Sequence, residues 1–209
     1  MGVYFRREYD NGALIAVWEI TESEEELLGL CSVPNDELEE LQLIRSSSRR
    51  KEKLAVRALL NEIFDGKVYL GHHDNGRPYL QNSLIEVSIS HTSRFVCLLT
   101  HPDESVGIDI ESLNRNFSAV EKRALSPDEI EDLSERDRST HLAIYWSAKE
   151  AVYKRMSRSD VDFAQQIVIK KFNPRDNGEL TALFIDKDGD EQEFELYYEI
   201  FDGHVMAWL

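Results

Sequence analysis

The last third of the chain constrains the fold most. Four runs, 167–172, 180–185, 193–201 and 205–209, are apolar or alternate apolar with polar residues. Between them stand Asn177-Gly178, Asp188-Gly189 and Asp202-Gly203. Such pairs accept the positive φ of tight turns, and between alternating runs they mark antiparallel hairpins. This part of the chain is therefore expected to form an antiparallel sheet with one face buried.

Upstream, residues 17–20 read as a first strand, and 22–30 and 36–64 as helical. Val56, Leu59, Leu60, Ile63 and Phe64 recur at helical spacing and form one apolar face. Arg49, Arg50, Lys53 and Arg57 lie on a different face of the same helix. Residues 68–70 look like a short strand and 74–78 like a turn. A hairpin follows, with strands at 85–90 and 95–100 joined by 91–94. Residues 106–111 form a third alternating run. Helical patterns cover 115–124, 127–134 and 138–157, and Ser126-Pro127 is a strong helix start. Helices followed by strands thus occur twice, over 1–105 and 106–209. An α+β chain of two similar halves is expected.

The balance of 24 Lys+Arg against 40 Asp+Glu gives a net charge of −16, and 42% of residues are hydrophobic. That is ample for a folded core. The charge argues against a nucleic-acid partner and against anionic membrane surfaces. The two cysteines, Cys31 and Cys97, make neither a disulfide framework nor a metal-binding spacing. No leader and no membrane-spanning run is read, so a cytoplasmic setting is expected.

Three segments carry chemistry. In Val106-Gly-Ile-Asp-Ile-Glu111, strand alternation sends Val106, Ile108 and Ile110 to one face and Gly107, Asp109 and Glu111 to the other. Two carboxylates side by side repel unless a cation lies between them, and Mg2+ takes oxygen ligands while leaving positions for phosphate. Gly107 is read as leaving room for that ligand. Alone, the pair also fits a strand end with two solvated acids. In 145–154, Trp146 and Glu150, and Glu150 and Lys154, are four apart and share a helix face. This fits a third carboxylate with a lysine for phosphate, and equally an exposed ion pair beside a core tryptophan. In 87–92, Ser90 and His91 end a strand. A protonated histidine beside a hydroxyl suits a phosphate, whereas adjacent strand residues point apart and make a poor nucleophile–base pair.

In order and spacing, Gly76-Arg-Pro78, Ser88-Ile-Ser-His-Thr92, Val106-Gly-Ile-Asp-Ile-Glu111 and Trp146-Ser-Ala-Lys-Glu-Ala-Val-Tyr-Lys154 resemble the signatures of the 4'-phosphopantetheinyl transferase superfamily. Length and the two halves resemble its surfactin-synthetase-activator type, which is a pseudo-dimer in one chain. The resemblance implies transfer of 4'-phosphopantetheine from coenzyme A to a serine of an apo acyl or peptidyl carrier protein. The second product is adenosine 3',5'-bisphosphate, the activity of a holo-acyl-carrier-protein synthase. It implies Asp109, Glu111 and Glu150 as ligands of Mg2+, and Lys154 on phosphate. His91, with Ser90 beside it, would meet the 3'-phosphate of coenzyme A. Arg77 would lie near the adenine and phosphates, and Arg49, Arg50 and Arg57 are further candidates for the 3'-phosphate. Glu150 is the implied base for the carrier serine, with Glu129 second. The active site is expected in a cleft between the halves, and the two-half plan suggests a monomer. Three positions depart from the pattern: Ser88 for Asn, Thr92 for Ser, and Arg77 for Lys, which replaces a point donor with a planar fork. A metal-dependent phosphohydrolase would use the same three carboxylates with water as nucleophile; a non-catalytic binder of coenzyme A or carrier protein is the third reading, against which the retention of all three acids and Lys154 speaks.

Charge is distributed unevenly. Residues 45–57 hold six basic residues and Glu52, a local +5. Residues 19–40 hold nine acids and no Lys or Arg, and 176–202 hold ten acids and Lys187. An acidic carrier would gain nothing from the overall field, so docking is expected to rely on a local patch.

Overall fold

The computed structural model describes residues 2–31, 33–65 and 68–209. The chain divides into two compact units, Met1–Glu104 and Ser105–Leu209. In chain order the first contains β1 (Val3–Glu8), β2 (Leu14–Glu19), α1 (Glu24–Leu30), α2 (Asn35–Leu43), α3 (Ser47–Phe64), β3 (Leu70–His72), β4 (Pro78–Leu80), β5 (Glu86–His91) and β6 (Phe95–His101). The second contains β7 (Ile108–Ser112), α4 (Ser118–Ala124), α5 (Pro127–Asp132), α6 (Arg138–Met156), α7 (Phe163–Gln166), β8 (Ile167–Ile169), β9 (Asn177–Ile185), β10 (Glu191–Phe201) and β11 (His204–Trp208). Each unit is a mixed α+β body.

The first unit has an antiparallel sheet in the order β1-β2-β6-β5 and a small β3-β4 ribbon. The second has a five-stranded antiparallel sheet in the order β7-β11-β10-β9-β8. In both, the strand before the helices pairs with the last strand, β2 with β6 and β7 with β11. In both, the longest helix packs on the sheet. The apolar face read on α3 is the face that is covered: Val56, Leu59 and Leu60 are buried, and Ile63 and Phe64 pack at the edge of that core. Helix α6 is buried on most of its surface, including Tyr145, Ala148, Ala151 and Val152, so any charge on it needs a partner or a purpose.

Local chemistry explains where the elements start. Ser23 and Ser126 each cap a helix through a reciprocal box, with Glu26 and Glu129 respectively. The single helix expected over 36–64 is two helices. Ser46 accepts from the Arg49 N–H and starts α3 afresh, while Ile44 is extended. Strand β1 has an alternating half-buried pattern that the reading from 17–20 did not include. The turn expected at Asn177-Gly178 is instead the start of β9, where Asn177 and Gly178 pair with Glu199 and Tyr198 of β10. At Asp202-Gly203 the hairpin forms as expected: both residues have positive φ, and Phe201 pairs with His204 across it. Cys31 donates to the Leu27 carbonyl, and Cys97 is wholly buried in β6. No helix among the described residues is long and apolar enough to cross a membrane.

Candidate functional site

The second unit brings one group of charged side chains together on β7 and α6. Asp109 is buried on β7, opposite Ala207 of β11. Two residues on, Glu111 accepts from Trp146 Nε1 at 2.9 Å and pairs with Arg115 through the same oxygen, Oε1. The Arg115 guanidinium also stands over the rings of Phe117 and Trp146, 5.5 and 5.8 Å from their centroids. Lys154, two turns along α6 from Trp146, donates to Asp109 Oδ1 at 2.8 Å and to the Ile108 carbonyl at 2.9 Å. Glu150 lies between Trp146 and Lys154 on this helix face. Burial, and then the charges of Asp109 and Glu111, push its carboxyl up to about 7 against the pull of Lys154. Burial and the Asp109 charge also raise Glu111, while Arg115, Trp146 and Lys154 lower it.

Gly107 makes this proximity possible, though not in the manner expected. A Cβ there would lie 1.9 Å from the Ala151 carbonyl oxygen of α6. The space belongs to the helix backbone, not to a ligand. Losing the side chain lets α6 sit against β7, and the two carboxylates further along the strand then share a neighbourhood with Glu150 and Lys154.

These carboxylates suit a hard divalent cation. All three supply oxygen donors; after burial, the Asp109 charge raises the proton affinity of Glu111, and Asp109 and Glu111 raise that of Glu150, as crowded carboxylates do. As they stand, Lys154 and Arg115 supply the balancing charge, and among the described residues no group of three or more His, Cys, Asp or Glu is arranged to hold a metal.

Glu129 stands differently. It is 3% exposed, and its oxygens accept from the Ser126 and Ile169 N–H groups and pair with Lys149 at 2.8 Å. Lys149, fully buried, also donates to the carbonyls of Phe163 and Ile167. Three acceptors thus meet the three donors of one ammonium, tying α5, α6, α7 and β8 together. These are the contacts of an anchor and leave Glu129 poorly suited to take a proton from a substrate. Sequence reading missed the role of Lys149. The available signal was a lysine inside an otherwise apolar stretch of helix.

The first unit holds a second, basic group. A cleft of about 270 Å3 is lined by Arg49, Lys53, Arg57, His72 and His91, together with Glu37. Arg49, Lys53 and Arg57 are four apart along α3, so they form one row. His91 reaches the row because Val87 and Ile89 pack beneath α3 and alternation sends His91 to the same face. Its Nε2 is 3.2 Å from the Arg49 guanidinium. Alternation likewise sends Ser90 to the opposite face of β5, so it is not gathered with His91. Arg50, one residue round the helix from Arg49, is turned elsewhere: it pairs with Glu24 at 2.7 Å and donates to the Ile44 carbonyl. Arg77 lies between Gly76 and Pro78, which line the cleft, while its guanidinium pairs with Glu86. Lys53 and His72 were not among the residues expected in a site. Lys53 was visible as the middle of the row.

Carboxylates on a strand and a helix, with a lysine within hydrogen-bonding reach, are equipment for metal-assisted chemistry on phosphates. Residues 105–209, the whole second unit, match the family model of the 4'-phosphopantetheinyl transferase superfamily, and the chain belongs to that superfamily. No curated protein matches the chain.

Proposed function

We propose that this chain transfers the 4'-phosphopantetheine arm of coenzyme A to a serine of an apo acyl or peptidyl carrier protein. The convergence of Asp109, Glu111, Glu150 and Lys154 within the family-matched unit carries this reading. The serine oxygen forms a bond to the phosphorus that bears the pantetheine arm. The bond from that phosphorus to the bridging oxygen breaks, and adenosine 3',5'-bisphosphate leaves. Asp109, Glu111 and Glu150 are the residues that would hold Mg2+, which when bound neutralises charge on the diphosphate. Lys154 adds a cation for the phosphates. Glu150 takes the serine proton: an acceptor near neutral is best matched to that work. The row of Arg49, Lys53 and Arg57 with His91 suits the 3'-phosphate of coenzyme A. Glu129, Arg50 and Ser90 receive no direct part.

Incubation with coenzyme A, Mg2+ and an apo carrier, followed by mass measurement of the carrier, tests the reading. A gain of one phosphopantetheine arm is expected. Turnover of phosphate esters with no carrier present would indicate a phosphohydrolase instead, and ligand binding without either reaction a non-catalytic binder. Asp109→Ala should lower transfer on the order of 100-fold or more, as removal of one preorganised electrostatic contact does. Its circular dichroism should remain that of the parent.

A further inference from the structure

Two side chains that line the basic cleft of the first unit, Arg49 and His91, share a buried partner that none of the expected residues supplies. Glu52 is the single acid in the basic stretch 45–57, and its side chain is 11% exposed. Its Oε2 lies 3.1 Å from Arg49 and 3.5 Å from His91 Nδ1, and its Oε1 accepts from Ser48 Oγ at 3.0 Å. Arg49 and His91 are the outer members of this cluster: the Arg49 side chain is 56% exposed and that of His91 29%. One carboxylate therefore sits beneath an arginine from α3 and a histidine from β5, and holds both from the buried side.

We infer that Glu52 is a positioning residue: it fixes Arg49 and His91 as a pair that recognises a terminal phosphate monoester on the ligand of this cleft. The inference rests on the proposal that the cleft takes the 3'-phosphate of coenzyme A. Its physical basis is preorganisation. An arginine side chain carries large rotamer entropy, and a histidine at a strand end has two ring orientations, so unrestrained they would order only when the ligand arrives. With Nδ1 facing the carboxylate, His91 turns Nε2 towards the Arg49 guanidinium, and the two side chains meet at one point. Arg57 is held independently, by both oxygens of Glu37, so the Glu52 cluster can be perturbed without freeing the rest of the row.

The experiment compares binding of coenzyme A and of dephospho-coenzyme A to the whole chain by isothermal titration calorimetry. The parent, Glu52→Ala, Glu52→Gln and Ser48→Ala are measured, each checked for its thermal midpoint. The parent should prefer coenzyme A. Glu52→Ala should lower that preference about tenfold, the loss typical of a charge-assisted contact, with little change in affinity for dephospho-coenzyme A. Glu52→Gln, which keeps a carbonyl oxygen for Arg49, should recover part of the preference, and Ser48→Ala should lose a smaller part. A general weakening of the fold would reduce both affinities together and leave their ratio unmoved, and an unmoved ratio overturns the inference. So does a ratio that increases on Glu52→Ala, which would make Glu52 a competitor of the phosphate. A parent that binds coenzyme A without preferring it to the dephospho form instead refutes the 3'-phosphate reading of the cleft.

Discussion

At the scale of single residues, position 107 and the acids around it make the sharpest statements. Gly107→Ala forces a methyl group onto the Ala151 carbonyl, so β7 and α6 must part. A stability loss of about 1–3 kcal/mol is expected in urea denaturation, accompanied by loss of transfer. Glu150 makes a statement about pH. Its folded-state pKa, about 7, lies above its ordinary value of 4.5, so between those values the folded chain keeps a proton that the unfolded chain has released. The stability it contributes is complete below about 4.5 and is lost as pH rises through 7. Relative to Glu150→Gln, the parent should lose up to about 3 kcal/mol between pH 4.5 and 8 in metal-free buffer. Denaturation of both proteins at the two pH values measures this, and Mg2+ should restore the parent at pH 8. The buried Lys149–Glu129 pair predicts asymmetry of another kind. Glu129→Gln should cost about 3–5 kcal/mol because it leaves an unpaired buried ammonium, and replacing both partners with apolar residues should cost less. The metal-type carboxylates were legible because strand and helix periodicities each put them on one face. Lys149 and Glu52 were not. The partners of Lys149 are a carboxylate and backbone carbonyls distant in sequence. Ser48 and Arg49 are local neighbours of Glu52 on α3, but His91, which gives the cluster its purpose, is brought in from β5 and no local spacing reports it.

At the scale of elements, helix starts and hairpin turns follow local chemistry and were largely legible. The Ser126 box, the Asp202-Gly203 turn and the apolar face of α3 all form where residue type alone places them. Errors occurred where two local signals compete. Apolar spacing runs through 36–64, but the serines at 46–48 offer a cap, and the cap divides the helix. Asn177-Gly178 has turn chemistry, but pairing with β10 extends the strand through it. This gives an element-scale expectation: Ser46→Ala removes the acceptor for the Arg49 N–H and should cost about 1 kcal/mol. Because Arg49 is the residue so capped, the same change should weaken coenzyme A binding, measurable in the same titration.

For the whole molecule, charge is the property that folding rearranges. The +5 stretch and the acidic block at 19–40 are distant in composition but neighbours in the first unit. Glu24 of α1 meets Arg50 and Glu37 of α2 meets Arg57. Two of the six basic residues, Arg50 and Arg57, are thereby committed, and Arg49, Lys53 and Arg57 of the stretch line the cleft with His91. The net charge of −16 remains, and long-range attraction of an acidic carrier is not expected. Initial transfer rates should hold or increase as salt is first added, since screening relieves repulsion. A steep monotonic fall from low ionic strength would contradict this.

The two cysteines carry a consequence for redox behaviour. Coenzyme A and the arm it donates both end in a free thiol, and an oxidised pool of either would capture any ready thiolate as a mixed disulfide. Exchange of that kind requires an ionised, accessible sulfur. Cys97 is sealed inside β6, and burial pushes the half-buried Cys31 thiol up to about 11, so almost none of it is ionised at neutral pH. A chain proposed to handle a thiol-bearing substrate thus offers that substrate no partner of its own, and it should resist glutathionylation without added reductant.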